Sequence, residues 1–514
     1  MFYTVADLLV TQAHRWPHEA AIVDGSTVVS YCELLDLARR CANLVSRSCA
    51  DTQERVAILL PRSIDALAVY FGAHLARAVP VFINEQLRPR QVGHIVNHAT
   101  VSLIFTSQRY RPLLRDVRIQ SDRVIDVATL REAPLHRLAW TISRDLAALV
   151  YTSGSTDSSK AVMVSHDNLI AGATIVADYL GLSEKDRTMA ALPWSFDYGL
   201  NQVLATFAAG GTVVVQRSAF APDICRTLAA AKITGMAGVP SQWAALTGAG
   251  SPFRRNRYPN LRYVTSSGGP VAATTIQQIR KAQPHLDFYL MYGLTEAFRS
   301  TYLEPSMIDT RPYSIGKAVP NTEILVIGED GQSCGPGFVG ELVHRGPTVA
   351  LGYWQDPAAT ARIFRPHPLI LFPTAAPETV VFSGDYVRSD ADGYLYYIGR
   401  GDEMFKSRGV RVTPTEIETE ILASGMVSEA VAVALDRSGP DPALLVGVVP
   451  SVGSFALTDL HAYCQAELPP HMRPHRIIEL TGVPHTPNGK TDRARARAEL
   501  LAGISAAELE ELRP

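Results

Sequence analysis

Tyr151-Thr-Ser-Gly-Ser-Thr-Asp-Ser-Ser-Lys160, behind the apolar run Ala147-Ala-Leu-Val150, is the stretch from which this chain can be read. Six Ser/Thr hydroxyls and a glycine lie between a strand-like segment and a lysine. Backbone N–H groups in such a turn converge on one concavity, hydroxyls add donors, and the lysine adds charge; the set suits a phosphate group. A plain solvated loop has the same composition, so the segment needs company before it carries a function. It is not a Walker A loop, because no Gly-x-x-x-x-Gly-Lys-[Ser/Thr] pattern occurs.

Outward from that loop, short apolar runs alternate with helical patterns. Arg55–Leu60, Val81–Ile83, Leu103–Thr106 and Thr212–Val215 read as strands, and Ile64–Ala76 as a helix. This alternation predicts parallel sheets covered by helices, an α/β fold. Near residue 320 the texture turns to strands and Gly/Pro turns (Glu323–Ile327, Gly340–His344, Tyr394–Ile398), which predicts a small β-rich subdomain. After Asp402 come strand-like Val427–Leu435 and Leu444–Val449, a helix at Leu457–Glu467 and a strand near Ile477, the order of a compact α+β lid. The Pro-rich insert Pro366–Pro377 reads as an exposed loop.

With 514 residues the chain exceeds one core. Hydrophobic residues at 47%, charged residues at 19% and a net charge of −2 suit a globular protein and give no reason to expect nucleic acid or an anionic membrane as partner. Six scattered cysteines, with no Cys-x-x-Cys pair, predict reduced thiols, no structural metal and a cytoplasmic protein. The N-terminus lacks the features of a secretory signal, and the apolar stretches 198–216 and 233–253 are broken by Gly, Pro, Asn and Gln, so neither reads as a membrane span.

Four more segments complete the picture: Met291-Tyr-Gly-Leu-Thr-Glu-Ala297, Ser383-Gly-Asp385, Tyr397-Ile-Gly-Arg-Gly-Asp-Glu-Met-Phe-Lys-Ser-Arg-Gly409 and Pro487-Asn-Gly-Lys-Thr-Asp-Arg493. Each alone is an ordinary turn or strand end. In this order and spacing, together with 152–160, they resemble the AMP-forming adenylating enzymes: acyl-CoA synthetases, peptide-synthetase adenylation domains and luciferases. The resemblance runs from Ser30 to Lys490. It implies residues 1–400 as a large adenylating domain and 401–514 as a mobile lid hinged at Asp402. It implies two half-reactions, in which ATP and a carboxylate give an acyl-adenylate and a thiol then displaces AMP.

The resemblance also implies roles. Thr152, Ser153, Gly154, Ser155, Thr156 and Lys160 would hold the β- and γ-phosphates. Tyr292 would stack on adenine, Thr295 would bond the α-phosphate, and Glu296 would ligate Mg²⁺. Asp385, with Arg400 beside it, would hold the ribose hydroxyls. Lys490 would reach the carboxylate and α-phosphate, and rotation of the lid would exchange it for Lys406. Asp157, Ser159 and Ala161 depart from the family's usual phosphate loop, and an acid beside polyphosphate is unfavourable.

The acyl pocket would be lined by Asp197, Tyr198, Asn201, Ser266, Gly268, Met291, Arg299 and Ser300, with Gly238–Pro240 and Trp243 as a further wall. Asp197 has two readings: a carboxylate for a substrate ammonium, or the cap of a helix beginning at Tyr198. Arg299 either meets a second substrate carboxylate or pairs internally with Asp197 or Glu304. The expectation is an ATP- and Mg²⁺-dependent ligase that activates an amino acid, α or β, and passes it to a phosphopantetheinylated carrier protein in trans, since no carrier signature follows Lys490. An acyl-CoA ligase for a fatty or aryl acid and a non-catalytic carboxylate-binding relative are the alternatives. Gly331-Gln-Ser-Cys-Gly335 matches the elbow of serine hydrolases, but Pro336 follows where a helix must begin. Gly248-Ala-Gly250 lacks the third glycine of a dinucleotide fingerprint.

Overall fold

The computed structural model describes residues 2–49, 51–136, 142–152, 159–369, 378–408, 410–435, 441–451, 455–486 and 489–504. The architecture is mixed α/β. Parallel strands Ala20–Asp24, Thr212–Val215, Arg187–Ala190, Gly235–Gly238, Tyr263–Ser266 and Asp287–Leu294 run side by side in the largest sheet. Because they are parallel, their carboxyl ends open on one edge, where ligands of α/β sheets collect. A second parallel sheet carries Val79–Phe82, Arg55–Leu59, Val101–Thr106 and Val124–Asp126. Helix Ile64–Leu75 is buried at every position but Asp65, as its nearly all-apolar sequence requires.

The β-rich part expected after residue 320 is present and is continuous with the large sheet. Glu323–Ile327, Val339–Arg345, Thr379–Ser389 and Leu395–Arg400 continue the large sheet through Ser314–Ala318 and Ala297–Leu303, giving 14 strands in all. The joint is antiparallel, so it left no helix-crossover signature in the sequence. Gly331–Gly335 is a turn, and strand Val339–Arg345, not a helix, follows it. Of the Pro-rich insert, 370–377 lie outside the described residues.

Beyond Asp402, strands Val427–Leu435, Ala443–Pro450 and Arg476–Glu479 form a separate sheet. Helices Pro414–Ala423 and Leu457–Glu467 pack on it through Ile417, Ile421, Val427, Val446, Leu460 and Ile477. Among the described residues no helix is long and apolar enough to cross a membrane.

Candidate functional site

The 151–160 segment joins two antiparallel strands, Leu146–Tyr151 and Ala161–Ser165, and Thr152 donates its backbone N–H to the Lys160 carbonyl at 3.0 Å across the base. Ser153, Gly154, Ser155, Thr156 and Asp157 lie outside the described residues. Both stems lean on helix Pro89–His98: His98 Nδ1 meets the Tyr151 hydroxyl at 2.8 Å, and His94 Nε2 lies 3.4 Å from the Ser159 carbonyl. Lys160 is exposed, its ammonium 5.1 Å from the centroid of the Tyr353 ring.

Tyr353 ties that lysine to the next motif. Its hydroxyl donates to Glu296 Oε1 at 2.6 Å. Glu296 and Thr295 form the two-residue tip between strands Asp287–Leu294 and Ala297–Leu303, which raises both side chains at the carboxyl end of the parallel strands. The sequence reading missed Tyr353, which lies 57 residues from its partner.

Three groups converge on Asp385, which is 6% exposed. The Tyr292 hydroxyl donates to one oxygen, and Tyr397 (3.2 Å) and the Arg400 guanidinium (3.5 Å) reach the other. Burial pushes the Asp385 carboxyl up, and Arg400 and the two tyrosines pull it back. Burial, with Asp385 alongside, holds the Tyr292 phenol far above its ordinary range, so it donates as a neutral hydroxyl. The ring of His344 is stacked with Tyr292 at 6.1 Å, and its buried nitrogens make no hydrogen bond among the described residues. Tyr397 stood inside a quoted motif without a role, and His344 in none.

The residues expected to line the acyl pocket begin in the segment after strand Arg187–Ala190. Helix Asp197–Ala209 starts one residue earlier than expected, with Phe196 as its cap and no side-chain capping bond from Asp197. The helix can turn back over its entry because residue 199 is glycine: a Cβ there would lie 2.1 Å from the Pro193 carbonyl oxygen. Asp197 in the first turn suits the positive end of the helix, but its side chain faces Arg299. Arg299 Nη2 lies 3.7 Å from Asp197 Oδ2, with both side chains buried, and the guanidinium sits 4.9 Å from the Tyr198 ring centroid. Glu304, the other partner considered, accepts from Tyr394 at 2.7 Å.

Tyr198 bonds Thr265 through its hydroxyl at 2.5 Å. Met291 takes the Tyr179 hydroxyl on its sulfur at 3.4 Å, and Ser300 Oγ turns to the Ala297 carbonyl. Ser266 and Asn201 are buried with side-chain polar atoms unpartnered among the described residues. Trp243 is buried and packs against Phe288, and a Cβ at Gly238 would meet its ring at 2.7 Å.

The C-terminal part of the chain brings Lys490 to this cluster. Its ammonium lies 5.7 Å from the Phe196 ring centroid, its stem runs 3.9 Å from where a Gly268 Cβ would be, and its charge is felt at Asp385. A tight turn presents it, with Thr486 N–H bonded to the Lys490 carbonyl and Gly489 N–H to that of Thr486, both at 2.8 Å. Gly489 has φ +79 and abuts Val239. Lys406 lies on an exposed hairpin opposite Arg411, outside this cluster. Asp402 follows the last strand of the large sheet and accepts from Arg400 Nε at 3.0 Å.

Contacts thus link Lys160 to Tyr353 and Glu296, gather Tyr292, Tyr397 and Arg400 on Asp385, and bring the charge of Lys490 to that carboxylate. The family model described as AMP-binding enzyme matches residues 9–354, and that of the AMP-binding enzyme C-terminal domain matches 416–490. The chain belongs to the AMP-binding enzyme family. It is 28% identical over 500 residues to surfactin synthase subunit 2 of Bacillus subtilis, covering 95% of this chain but 14% of that protein. It is 27% identical to tyrocidine synthase 3 of Brevibacillus parabrevis, again over 95% of this chain and 8% of the relative. The chain thus spans only a small part of these curated relatives. In fold it is similar to the anthranilate CoA ligase AuaEII, solved with anthranoyl-AMP, at TM-score 0.88 and 22% identity, covering 98% of each chain. A benzoate CoA ligase from Burkholderia xenovorans LB400 gives TM-score 0.85 at 24% identity, over 96% of this chain and 100% of that one.

Proposed function

We propose that this protein is an AMP-forming ligase that activates an amino acid, α or β, with ATP and passes it to the phosphopantetheine thiol of a carrier protein. A carboxylate oxygen of the acid attacks the α-phosphorus, the bond to the bridging oxygen breaks, and pyrophosphate leaves with the electron pair. A thiolate then attacks the acyl carbon, and AMP departs as the C–O bond breaks. Neither step needs a covalent enzyme nucleophile; both need positioning and charge neutralisation.

In this reading Asp385 takes the ribose hydroxyls and Tyr292 offers its ring to adenine. Thr152–Lys160 holds the distal phosphates, Thr295 bonds the α-phosphate, and Lys490 sits between that phosphate and the attacking carboxylate. Mg²⁺ would neutralise phosphate charge from Glu296. The residues fit that ion, because Tyr353 takes only one Glu296 oxygen and Mg²⁺ is commonly held by one carboxylate plus substrate phosphates. Residues 1–400 and 401–514 act as body and lid about Asp402, and rotation withdraws Lys490 and brings up Lys406. Six cysteines, none in a disulfide, are in keeping with a reducing cytoplasm.

The observation that carries the amino-acid reading is the Asp197 carboxylate, buried in the pocket wall within the segment over which Lys490 sits. Its similarity to surfactin and tyrocidine synthases supports the carrier-protein acceptor. The second reading, a CoA ligase for an acid without an amino group, is favoured by one feature: Arg299 already neutralises Asp197. ATP–pyrophosphate exchange with amino acids and their deamino analogues separates the two. Exchange with amino acids supports the first reading, and a consistent preference for the deamino acids overturns it. Asp197→Ala is a poor test by itself, since it also strands Arg299 in the interior.

A further inference from the structure

The Arg299–Asp197 pair is not a closed salt bridge. At 3.7 Å the two groups are within ion-pair range but make no hydrogen bond. Arg299 is 2% exposed, and its Nε and Nη2 are sealed from solvent without a hydrogen-bond partner among the described residues. Unmade bonds on a buried guanidinium are costly, more so than on a neutral donor. One turn on from Asp197 along the same helix, both polar atoms of the Asn201 amide are likewise buried and unpartnered among the described residues, as is the Ser266 hydroxyl at the end of strand Tyr263–Ser266. Three side chains, Arg299, Asn201 and Ser266, thus hold unused hydrogen-bonding capacity, and the Lys490 ammonium stands over Phe196, which adjoins Asp197 in the chain.

Charge balance selects what fits. Arg299 and Asp197 together are neutral. An amino acid with an apolar side chain adds an ammonium and leaves a buried excess positive charge. A dicarboxylic acid without the amine leaves an excess negative charge. An amino acid with a side-chain carboxylate restores neutrality and supplies an acceptor to the guanidinium, where bidentate geometry is available. Resting on the amino-acid reading above, we propose that the substrate is an acidic amino acid, with its ammonium on Asp197, its second carboxylate on Arg299, and the Asn201 amide as a further donor to that carboxylate.

The test is ATP–pyrophosphate exchange by the full chain with aspartate, asparagine, leucine and succinate, and with glutamate, glutamine and glutarate. Aspartate or glutamate should exceed leucine and the matching amide by roughly 100-fold in kcat/KM, since a pocket with polar groups awaiting partners rejects analogues that lack them. Arg299→Met should lower the value for the acidic amino acid by about 100-fold, chiefly through KM, and raise that for leucine, because Asp197 and one ammonium then balance. Leucine preferred by the wild-type chain, an amide used as well as the acid, or an unchanged ranking in Arg299→Met overturns the proposal. The wild-type ranking decides even if the variant fails to fold. Exchange with succinate or glutarate but with no amino acid would instead overturn the amino-acid reading beneath it.

Discussion

Gly489→Ala separates the docking of the lid from the charge it delivers. The glycine has φ +79, where an L side chain costs about 1–2 kcal/mol. That cost belongs to the turn itself and is present in any lid orientation. A second cost arises only when the lid is docked as seen here: the new Cβ would lie 2.6 Å from Val239 Cγ2, below van der Waals contact. Val239 is 5% exposed and enters helix Pro240–Thr247, so it has little room to yield. Overpacking of this kind costs roughly 1–3 kcal/mol, or about 5- to 150-fold in the docked population. Pyrophosphate release should fall by that factor, while thioester formation from supplied aminoacyl-adenylate stays near the wild-type rate. Equal losses in both half-reactions, or none in either, would refute the claim that this interface belongs to adenylation.

Lys490→Ala should leave lid docking intact but lower adenylation by about 100- to 1000-fold, the worth of one oriented charge at a transition state; normal adenylation in single-turnover measurements would remove its role. Asp402→Pro, which fixes φ at the expected hinge, should impair one half-reaction and spare the other, whereas equal mild losses would put the hinge elsewhere. Stability should depend on pH below neutrality. Burial holds His344 at about 3 and His166 at about 4, against the usual 6.5. The unfolded chain therefore binds more protons at these two sites between those values and 6.5, so their contribution is constant above about pH 7 and stability falls with acidification by about 1.4 kcal/mol per unit for each histidine. Urea unfolding at pH 7.5, 6 and 5 reads this, and unchanged stability at pH 5 would contradict it.

The fold was legible where local pattern and tertiary environment agree. Thr212–Val215 and Val427–Leu435 are β-branched or alternating runs, and the strands occupy those same bounds. The joint between the parallel strands and the later β-rich part was not, because it depends on pairing Ser314 with Tyr396, far apart in the chain. The site shows the same division. Asp385, Tyr292 and Lys490 stand in motifs that the chain spells out, and the structure brings them into one cluster. Tyr353 and His344 matter through a hydrogen bond and a ring contact that link distant segments, which no local spacing encodes. The helix begins at Asp197, one residue before the expected start, a difference within the ordinary spread of helix ends.

The central claim is that a carboxylate oxygen bonds to the α-phosphorus of ATP. Once the exchange assay has identified an acid, that acid labelled with ¹⁸O in its carboxylate, incubated with ATP, Mg²⁺ and a thiol acceptor, reads this bond through mass spectrometry of the products. The account predicts one ¹⁸O atom in AMP for each thioester formed, with unlabelled pyrophosphate. Label in inorganic phosphate with ADP as the co-product, or turnover with no label in AMP, would contradict it.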